Sequence, residues 1–242
     1  MGLFELKIEQ LRSQLEDATP EPRVCSVCDA RGWPRRANKQ MILEQDMGVE
    51  LGKGGLQSFA AVLWTESMDR VRDGVISVYG QDIPLLAAPG GARSVPFGKV
   101  ALLGVDFIPS KEVYAAFEKM DAVRFAQNLK GYMLRGFTQR NREWSRISRE
   151  ACNNGFDFTV LGSELIRDYL ALPFVRRAEM FFFTDDALIR ALAPVIDECH
   201  KITRALNTIF EGIHMDCKSC DEAPICAEID GLRRLHDRLV SS

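Results

Sequence analysis

Apolar residues along the chain follow two spacings, and each spacing predicts a type of element. Residues 3–17 carry apolar side chains largely on one side of a helix, which predicts an amphipathic helix that ends before Pro20. Continuous apolar runs rich in β-branched and aromatic residues predict strands at 58–64, 74–80 and 99–107. The segment between the second and third of these strands is rich in proline and glycine, so we expect an irregular loop at 84–98.

The second half of the chain alternates between the two spacings more clearly. Strands are predicted at 142–148 and 176–185, and helices at 110–121 and 163–172. Ser148 is suited to cap a short helix that stops at an Asn-Asn-Gly sequence.

A long helix with one apolar stripe is predicted after Thr184 and extends to about Phe210, with Pro194 as a kink or as its true start. The alternation predicts a mixed α/β (α+β) fold, in which a sheet has flanking helices, a long C-terminal helix and a cysteine-rich, metal-bound tail. We expect an N-terminal helix and CxxC loop at 1–44 that pack on the tail, an α/β domain at 45–212 and a cluster-binding tail at 213–242.

Composition and charge exclude several classes of protein. The chain has 242 residues, of which 46% are hydrophobic and 27% charged, with a net charge of −3, so no general attraction to nucleic acid is expected. No apolar run approaches the roughly 20 residues that a membrane helix needs. The N-terminus is charged and amphipathic and lacks a signal-peptide pattern. We therefore expect a cytoplasmic protein that does not bind membranes.

Cysteines are the strongest candidate ligands. Their number, seven, is odd and no export signal is present, which favours a metal site over disulfides. Cys217, Cys220 and Cys226 form a C-x2-C-x5-C pattern in a polar segment. A [4Fe–4S] cluster needs four ligands, and Cys25 or Cys28 would complete the set. In the zinc alternative, the two C-x-x-C pairs bind one Zn²⁺ and the last cysteine is unused.

Other candidate groups have simpler interpretations. Cys152 and Cys199 lie in predicted helices and are interpreted as small core residues. The glycine-rich stretch at 48–55 is too short for a phosphate loop and is predicted to be a turn before a strand. No nucleophile–base pair is evident, so a free-standing esterase-type activity is not expected.

Arginines are concentrated around one tryptophan, Trp144. These arginines are Arg135, Arg140, Arg142, Arg146 and Arg149. Arginine forks bind phosphates bidentately, and an indole face can stack on a purine, so a ligand such as coenzyme A would suit this stretch. The alternative is a solvated basic surface paired with Glu143 and Glu150.

Several stretches, taken in order, resemble the acetyl-CoA synthase subunit of the carbon monoxide dehydrogenase/acetyl-CoA synthase complex. They are GVELG, VRDGVISVYGQDI, REWSRISREACNNGFDFTVLGSELI, AEMFFFTDDALIRAL and CKSCDEAPIC. The most specific is W-x-R-I-S-[KR]-[ED]-A-x-x-x-G-F, which begins at Trp144. The likeness covers about residues 45–230, the middle region of the family and the start of its metal-binding region.

The resemblance implies roles for particular residues. Cys217 and Cys220 match the opening C-x-x-C of the family's nickel–iron–sulfur centre, and Cys226 matches its third cysteine. Trp144 and Arg146 match the W-x-R of the region associated with coenzyme A. The fourth cubane cysteine and the Cys-Gly-Cys that holds the distal nickel have no counterpart before Ser242, so full acetyl-CoA synthase activity is not expected.

The expected function is therefore that of an iron–sulfur protein, an accessory or electron-transfer component of anaerobic one-carbon or acyl-CoA metabolism that binds coenzyme A. Its expected partner is a protein of a carbon monoxide dehydrogenase/acetyl-CoA-synthase-like or other redox complex. The alternative is a zinc-stapled, non-catalytic interaction or assembly subunit.

Overall fold

Two sheets and their flanking helices make up the computed structural model, which describes residues 2–19, 21–28, 32–36, 41–137, 142–210, 223–229 and 231–235. The strands are β1 (Arg23–Ser26), β2 (Met47–Leu51), β3 (Ser58–Thr65), β4 (Val75–Tyr79), β5 (Ser94–Val95), β6 (Phe97–Val105), β7 (Tyr132–Phe137), β8 (Glu143–Ser148) and β9 (Val175–Phe183). The helices are α1 (Glu5–Glu16), α2 (Ile83–Ala87), α3 (Val113–Val123), α4 (Arg149–Asn153), α5 (Phe158–Leu170), α6 (Asp186–Phe210) and α7 (Ala223–Glu228).

The larger sheet has the strand order β1-β4-β9-β6-β3 and mixes both directions of pairing. β3 runs parallel to β6 and β4 parallel to β9, whereas β6 and β9 are antiparallel. Every residue of β3 and of β6 is buried, because helices and the smaller sheet cover both faces of these strands. Burial on both sides explains why their sequences are continuous apolar runs without polar alternation.

Helices lie on opposite faces of the larger sheet. Successive side chains of a strand point to opposite faces, so Phe181 and Phe182 of β9 identify the two sides. The ring of Phe182 stacks on Phe158 of α5 at 4.7 Å between centroids. The guanidinium of Arg12 in α1 lies 5.3 Å from the centroid of Phe181. α5 therefore covers one face and α1 the other.

α1, α6 and α7 form one layer on the second of these faces. The ammonium group of Lys7 in α1 is 2% exposed and pairs with Glu198 of α6. It also lies 3.5 Å from a carboxylate oxygen of Glu228, the last residue of α7. A single cluster of buried apolar residues includes members from the first helix to the C-terminal segment, such as Phe4 and Leu235.

The smaller sheet has the order β5-β2-β8-β7 and packs on the larger one at the start of β3. The hydroxyl of Ser58 donates to the carbonyl of Glu143 at 2.6 Å, and the Glu143 amide donates back to that hydroxyl at 3.0 Å. These two bonds fix the first residue of β8 against the larger sheet.

Local signals explain where the two main helices begin. Asp157 accepts a hydrogen bond from the Val160 amide at 2.8 Å, and Asp185 accepts one from the Leu188 amide at 2.8 Å. Both are N-cap interactions that satisfy amides left free at a helix start. α6 continues through Pro194 from Asp186, so the idea that this proline marks the helix start is wrong.

The mixed α/β architecture with flanking helices and a long C-terminal helix is confirmed, whereas three local predictions are wrong. Residues 84–98 are not wholly irregular, because they contain most of α2 and all of β5. Residues 48–51 belong to strand β2 and are not a turn. α5 begins at Phe158, five residues before the predicted start. The cysteine-rich tail lies mostly outside the described residues.

The described part of the chain contains no helix that combines the length and the apolar character needed to cross a bilayer.

Candidate functional site

The outer face of the smaller sheet carries the predicted tryptophan and one of its arginines. Trp144 and Arg146 are two residues apart on β8, so their side chains share one face. Glu50 of β2 is the residue paired with Arg146, and its carboxylate lies on the same face. Its Oε1 accepts hydrogen bonds from Trp144 Nε1 at 3.0 Å and from Arg146 Nε at 2.7 Å.

Glu50 is fully buried, and its second oxygen is also contacted. Lys53 Nζ lies 3.4 Å from Oε2, and the Ser94 hydroxyl donates to it at 3.3 Å. Burial acts to raise the pKa of Glu50. The hydrogen bonds from Arg146 and Trp144, together with the positive charge of Arg146, outweigh burial, so the pKa is lowered from its ordinary value. Glu50 is therefore a carboxylate that fixes both the indole and the guanidinium.

The Trp144 ring is half-buried and has cations beside it. The guanidinium carbon of Arg135 in β7 lies 4.8 Å from the ring centroid, and that of Arg146 lies 5.7 Å from it. Both distances fall within the range of cation–π contacts. The indole is thus held by its N–H and by the cations beside its ring, and part of it stays exposed.

Arg146 has a different environment from the other arginines. It is 7% exposed, and besides Glu50 its Nη1 donates to the Ile42 carbonyl at 3.3 Å. Two of its nitrogens donate to the protein and little of the side chain is exposed, which suits a residue that positions Trp144. Arg135 and Arg142 are exposed and better placed to meet a ligand.

A cavity of about 310 Å³ lies where the segment that precedes β2 meets the start of α4. Its charged lining residues are Arg36, Asp46, Lys130, Arg149 and Glu150. Lys130 pairs with Glu150 at 2.8 Å, and Arg149 Nη2 donates to the Gln45 carbonyl at 3.3 Å. Arg140 lies outside the described residues.

The N-terminal cysteines lie beside α5. Arg23 Nη1 donates to the half-buried Cys25 Sγ at 2.9 Å. The Cys28 amide donates to the Ser163 hydroxyl at 3.0 Å, and its exposed Sγ lies 3.4 Å from the same oxygen. Both are free thiols on the α5 face of the larger sheet.

The C-terminal cysteines are described only in part. Cys217 and Cys220 lie outside the described residues, as does the side chain of Cys226, whose backbone belongs to α7. α7 packs on α6, on the face opposite α5. Within the described ranges, no group of three or more His, Cys, Asp or Glu residues could hold a metal ion.

Cys152 and Cys199 fit their interpretation as core residues. Cys199 is 2% exposed in α6, and burial raises the pKa of its thiol to about 12. Burial also raises the pKa of the half-buried Cys152 to about 11. Burial thus disfavours the thiolate form of both side chains, which is the form that binds metals.

Sequence reasoning missed Glu50 and the buried pair of Lys99 and Glu143. Lys99 Nζ donates to Glu143 Oε1 at 2.7 Å, on the inner face of the smaller sheet. The available signal for Glu50 was a single acid between apolar residues in GVELG, which is informative only when that stretch is recognised as a strand.

Comparison with known proteins identifies relatives of the segment that holds the site. The family model of the CO dehydrogenase/acetyl-CoA synthase complex beta subunit matches residues 37–189, more than half of the chain. The chain is 31% identical over 167 residues to the carbon monoxide dehydrogenase/acetyl-CoA synthase subunit alpha of Moorella thermoacetica. That match covers 67% of this chain and 21% of the relative, so the chain spans about a fifth of the relative's length. The family resemblance noted in the sequence is confirmed, and the chain belongs to the family of the CO dehydrogenase/acetyl-CoA synthase complex beta subunit.

Proposed function

We propose that the chain is an accessory component of anaerobic one-carbon or acyl-CoA metabolism that binds coenzyme A on the outer face of the smaller sheet. The observation that carries the proposal is the Trp144 indole, fixed by Glu50 at 3.0 Å and with the Arg135 guanidinium at 4.8 Å from its ring. An aromatic ring surrounded by basic side chains suits a purine that is linked to phosphates, because the ring can stack on the base and the arginines can bind the phosphates. Membership of a family of complex subunits supports a protein partner as well.

The residues divide into two groups by their environment. Glu50 and Arg146 are buried and hold the indole in place. Arg135 and Arg142 are exposed, so their forks are available to phosphate oxygens. Arg149 is exposed as well, and its nitrogens other than the Nη2 that donates to Gln45 are available. Arg140 is proposed for the same role on its sequence position alone. In the alternative, the same arginines are a solvated basic face with no ligand.

Calorimetry with coenzyme A tests this assignment. Stacking of a base on an aromatic ring contributes about 1–3 kcal/mol, so Trp144→Ala should weaken binding by about 5- to 150-fold. Trp144→Phe keeps a ring and should retain most of the affinity. Phosphopantetheine, which lacks adenine, should bind Trp144→Ala and the unaltered protein equally.

An exposed arginine elsewhere provides the control for charge. Arg142→Gln should weaken binding by about tenfold, because a charge-assisted hydrogen bond to phosphate is lost. Arg190→Gln removes the same charge from α6, where the side chain is 65% exposed and pairs with Asp186. It should have no effect. If coenzyme A gives no heat of binding, or if the two arginine variants weaken binding equally, the arginines are a solvated basic surface and not a coenzyme A site.

We propose in addition a metal centre at the C-terminal cysteines. Cys217, Cys220 and Cys226 would bind a [4Fe–4S] cluster together with Cys25 or Cys28, and the cluster would supply electron transfer. The spacing of the three C-terminal thiols and the free state of the two N-terminal ones support the proposal. In the zinc alternative, the same N-terminal pair joins Cys217 and Cys220 around one ion.

Cys28 lies on the α5 face of the larger sheet, whereas α7, which contains Cys226, lies on the α6 face. Substitution of the N-terminal cysteines is therefore the sharpest test of the proposed ligand set. Anaerobically purified protein should be brown and carry about four irons per chain. Cys28→Ser or Cys25→Ser should lower the iron content, whereas Cys152→Ser should not. Full iron in both N-terminal variants would exclude these residues as ligands, and a colourless protein with one zinc would favour the staple.

A further inference from the structure

The cavity beside the smaller sheet lies on the same face of that sheet as Trp144. Side chains along a strand alternate between its two faces, so Trp144, Arg146 and Ser148 of β8 all lie on the outer face. Ser148 is one of the residues that line the cavity of about 310 Å³. Four residues of a strand span about 13 Å, so the cavity begins about this far along β8 from the indole.

Arg146 and the segment that precedes β2 connect the indole to the cavity. The guanidinium carbon of Arg146 lies 5.7 Å from the centroid of the Trp144 ring, and its Nη1 donates to the Ile42 carbonyl at 3.3 Å. Ile42 lines the cavity, and its amide donates to Met133 Sδ at 3.2 Å, in the strand next to β8. The indole and the cavity are therefore neighbours on one face of the sheet, separated by Arg146 and the residue to which it donates.

Positive charge exceeds negative charge in the lining of the cavity. Three cations and two acids line it, an excess of one positive charge: Arg36, Lys130, Arg149, Asp46 and Glu150. Lys130 pairs with Glu150 at 2.8 Å, so these two charges offset each other. The two arginines then remain against a single acid, Asp46.

Neutral oxygens hold the two arginines in place. Arg36 Nη2 donates to the Gln127 carbonyl at 3.2 Å, and Arg149 Nη2 donates to the Gln45 carbonyl at 3.3 Å. Within the part of the chain that the structure describes, neither guanidinium forms an ion pair with a carboxylate. Each is thus positioned by the protein while its charge remains available to an anion.

We infer that this cavity binds phosphate groups of the ligand whose base stacks on Trp144. The inference rests on the proposed coenzyme A site and extends it to Arg36 and Lys130, which that proposal does not use. Arg36 and Arg149 attract the phosphates, whereas Glu150 opposes them, because it carries the same sign and pairs with Lys130. Arg36 precedes the segment that the family model matches, so the N-terminal region of the chain contributes to the site.

Two substitutions with opposite expected effects test the inference by calorimetry with coenzyme A. Arg36→Gln should weaken binding by about tenfold, because a charge-assisted hydrogen bond to phosphate is lost. Glu150→Gln should strengthen binding by about two- to fivefold, because it removes a repulsive charge and frees Lys130. Damage to the fold does not produce a gain in affinity, so the second variant isolates the electrostatic effect. Arg36→Lys keeps the charge and should bind more tightly than Arg36→Gln.

Truncated ligands separate the cavity from the indole. Adenosine has no phosphate, so its binding should be weakened by Trp144→Ala and unchanged by Arg36→Gln. Dephospho-coenzyme A lacks only the 3′-phosphate. An equal effect of Arg36→Gln on both forms of the coenzyme assigns the cavity to the diphosphate, and an effect on coenzyme A alone assigns it to the 3′-phosphate.

Arg176→Gln is the matched control, because it removes the same charge from β9, where the guanidinium pairs with Asp106. It should leave the affinity for coenzyme A unchanged. If binding depends on Trp144 but is equally tight in the unaltered protein, in Arg36→Gln and in Glu150→Gln, the cavity assignment is overturned and the Trp144 site stands. If coenzyme A does not bind at all, the cavity assignment and the proposed site are both wrong.

Discussion

Single residues at the candidate site have roles that follow from burial and charge. Glu50 is fully buried and binds the indole N–H and the guanidinium of Arg146, which is itself 7% exposed. A buried cation that loses its counter-charge is strongly destabilising, typically by about 3–5 kcal/mol. The acid therefore stabilises the sheet, and it also fixes the side chains of the candidate site.

The pH dependence of stability should reveal this acid. The pKa of Glu50 is lowered in the folded protein from the ordinary 4.5. The ionised carboxylate therefore contributes fully to the stability of the fold above pH 4.5, and this contribution is lost as the pH falls through the folded pKa. Glu50→Gln should lower the free energy of unfolding by about 3–5 kcal/mol at neutral pH. The difference in stability between this variant and the unaltered protein should become smaller in acid. Urea unfolding at several pH values measures both effects.

Glu150→Gln is the matched control, because this side chain is 63% exposed and its pair with Lys130 lies at the surface. Surface substitutions of this kind change stability by no more than about 0.5 kcal/mol. Equal losses in the two variants, or a gap that stays constant into acid, would show that the charge of Glu50 is not what stabilises the sheet.

At the scale of elements, the β2–β3 connection depends on a close approach that only glycine permits. Gly52 has a φ of +67°, and a Cβ there would overlap the Glu143 carbonyl and lie 2.8 Å from the Ser58 hydroxyl. These are the two groups whose hydrogen bonds join the sheets. Gly55, three residues later, has a φ of +92° but open space around it.

The two glycines make a matched pair for substitution by alanine. Gly55→Ala should cost about 1–2 kcal/mol, from backbone strain alone. Gly52→Ala should add to that strain about 1–3 kcal/mol of overpacking against backbone that cannot move aside. Thermal unfolding of the two variants gives the comparison. A Gly52→Ala protein as stable as Gly55→Ala would mean that the sheets do not meet in this way.

Elements that are buried on both faces were predictable from sequence. All of β3 and β6 and the last six residues of β9 are buried, which explains their apolar runs, and the cap of α6 at Asp185 is a local signal. β1 was missed because it is four residues long and mostly exposed, so no apolar pattern marks it. The start of α5 was missed because Phe158-Thr159-Val160 has low helix propensity, and packing of that turn overrides it.

The candidate site was predictable only in part, for a related reason. Trp144 and its arginines are adjacent in sequence, so their proximity needs no knowledge of the fold. Glu50 faces Arg146 only because β2 and β8 pair in one register, which no local pattern specifies. The pair of Lys99 and Glu143 depends on two sheets meeting, which is a property of tertiary structure.

At the scale of the whole molecule, the N-terminal helix belongs to the same core as the family segment. The family model begins at residue 37, yet Leu11 of α1 is fully buried in the cluster that also contains Phe181 of β9. Arg12 of the same helix bonds Glu179, a fully buried acid of β9. A helix that shares its apolar residues and an ion pair with the central sheet should unfold together with it.

Truncation of one side chain in α1 tests this coupling. Leu11→Ala should lower the free energy of unfolding by about 2–5 kcal/mol, the range for a buried leucine. The loss should appear at the same denaturant midpoint in circular dichroism and in tryptophan fluorescence, because Trp64 and Trp144 report both sheets. Leu6→Ala changes a residue of the same helix that is 38% exposed, and it should have a much smaller effect. If Leu11→Ala instead splits the transition in two, or leaves the fluorescence midpoint where it was, then α1 unfolds independently and the core is divided between separate units.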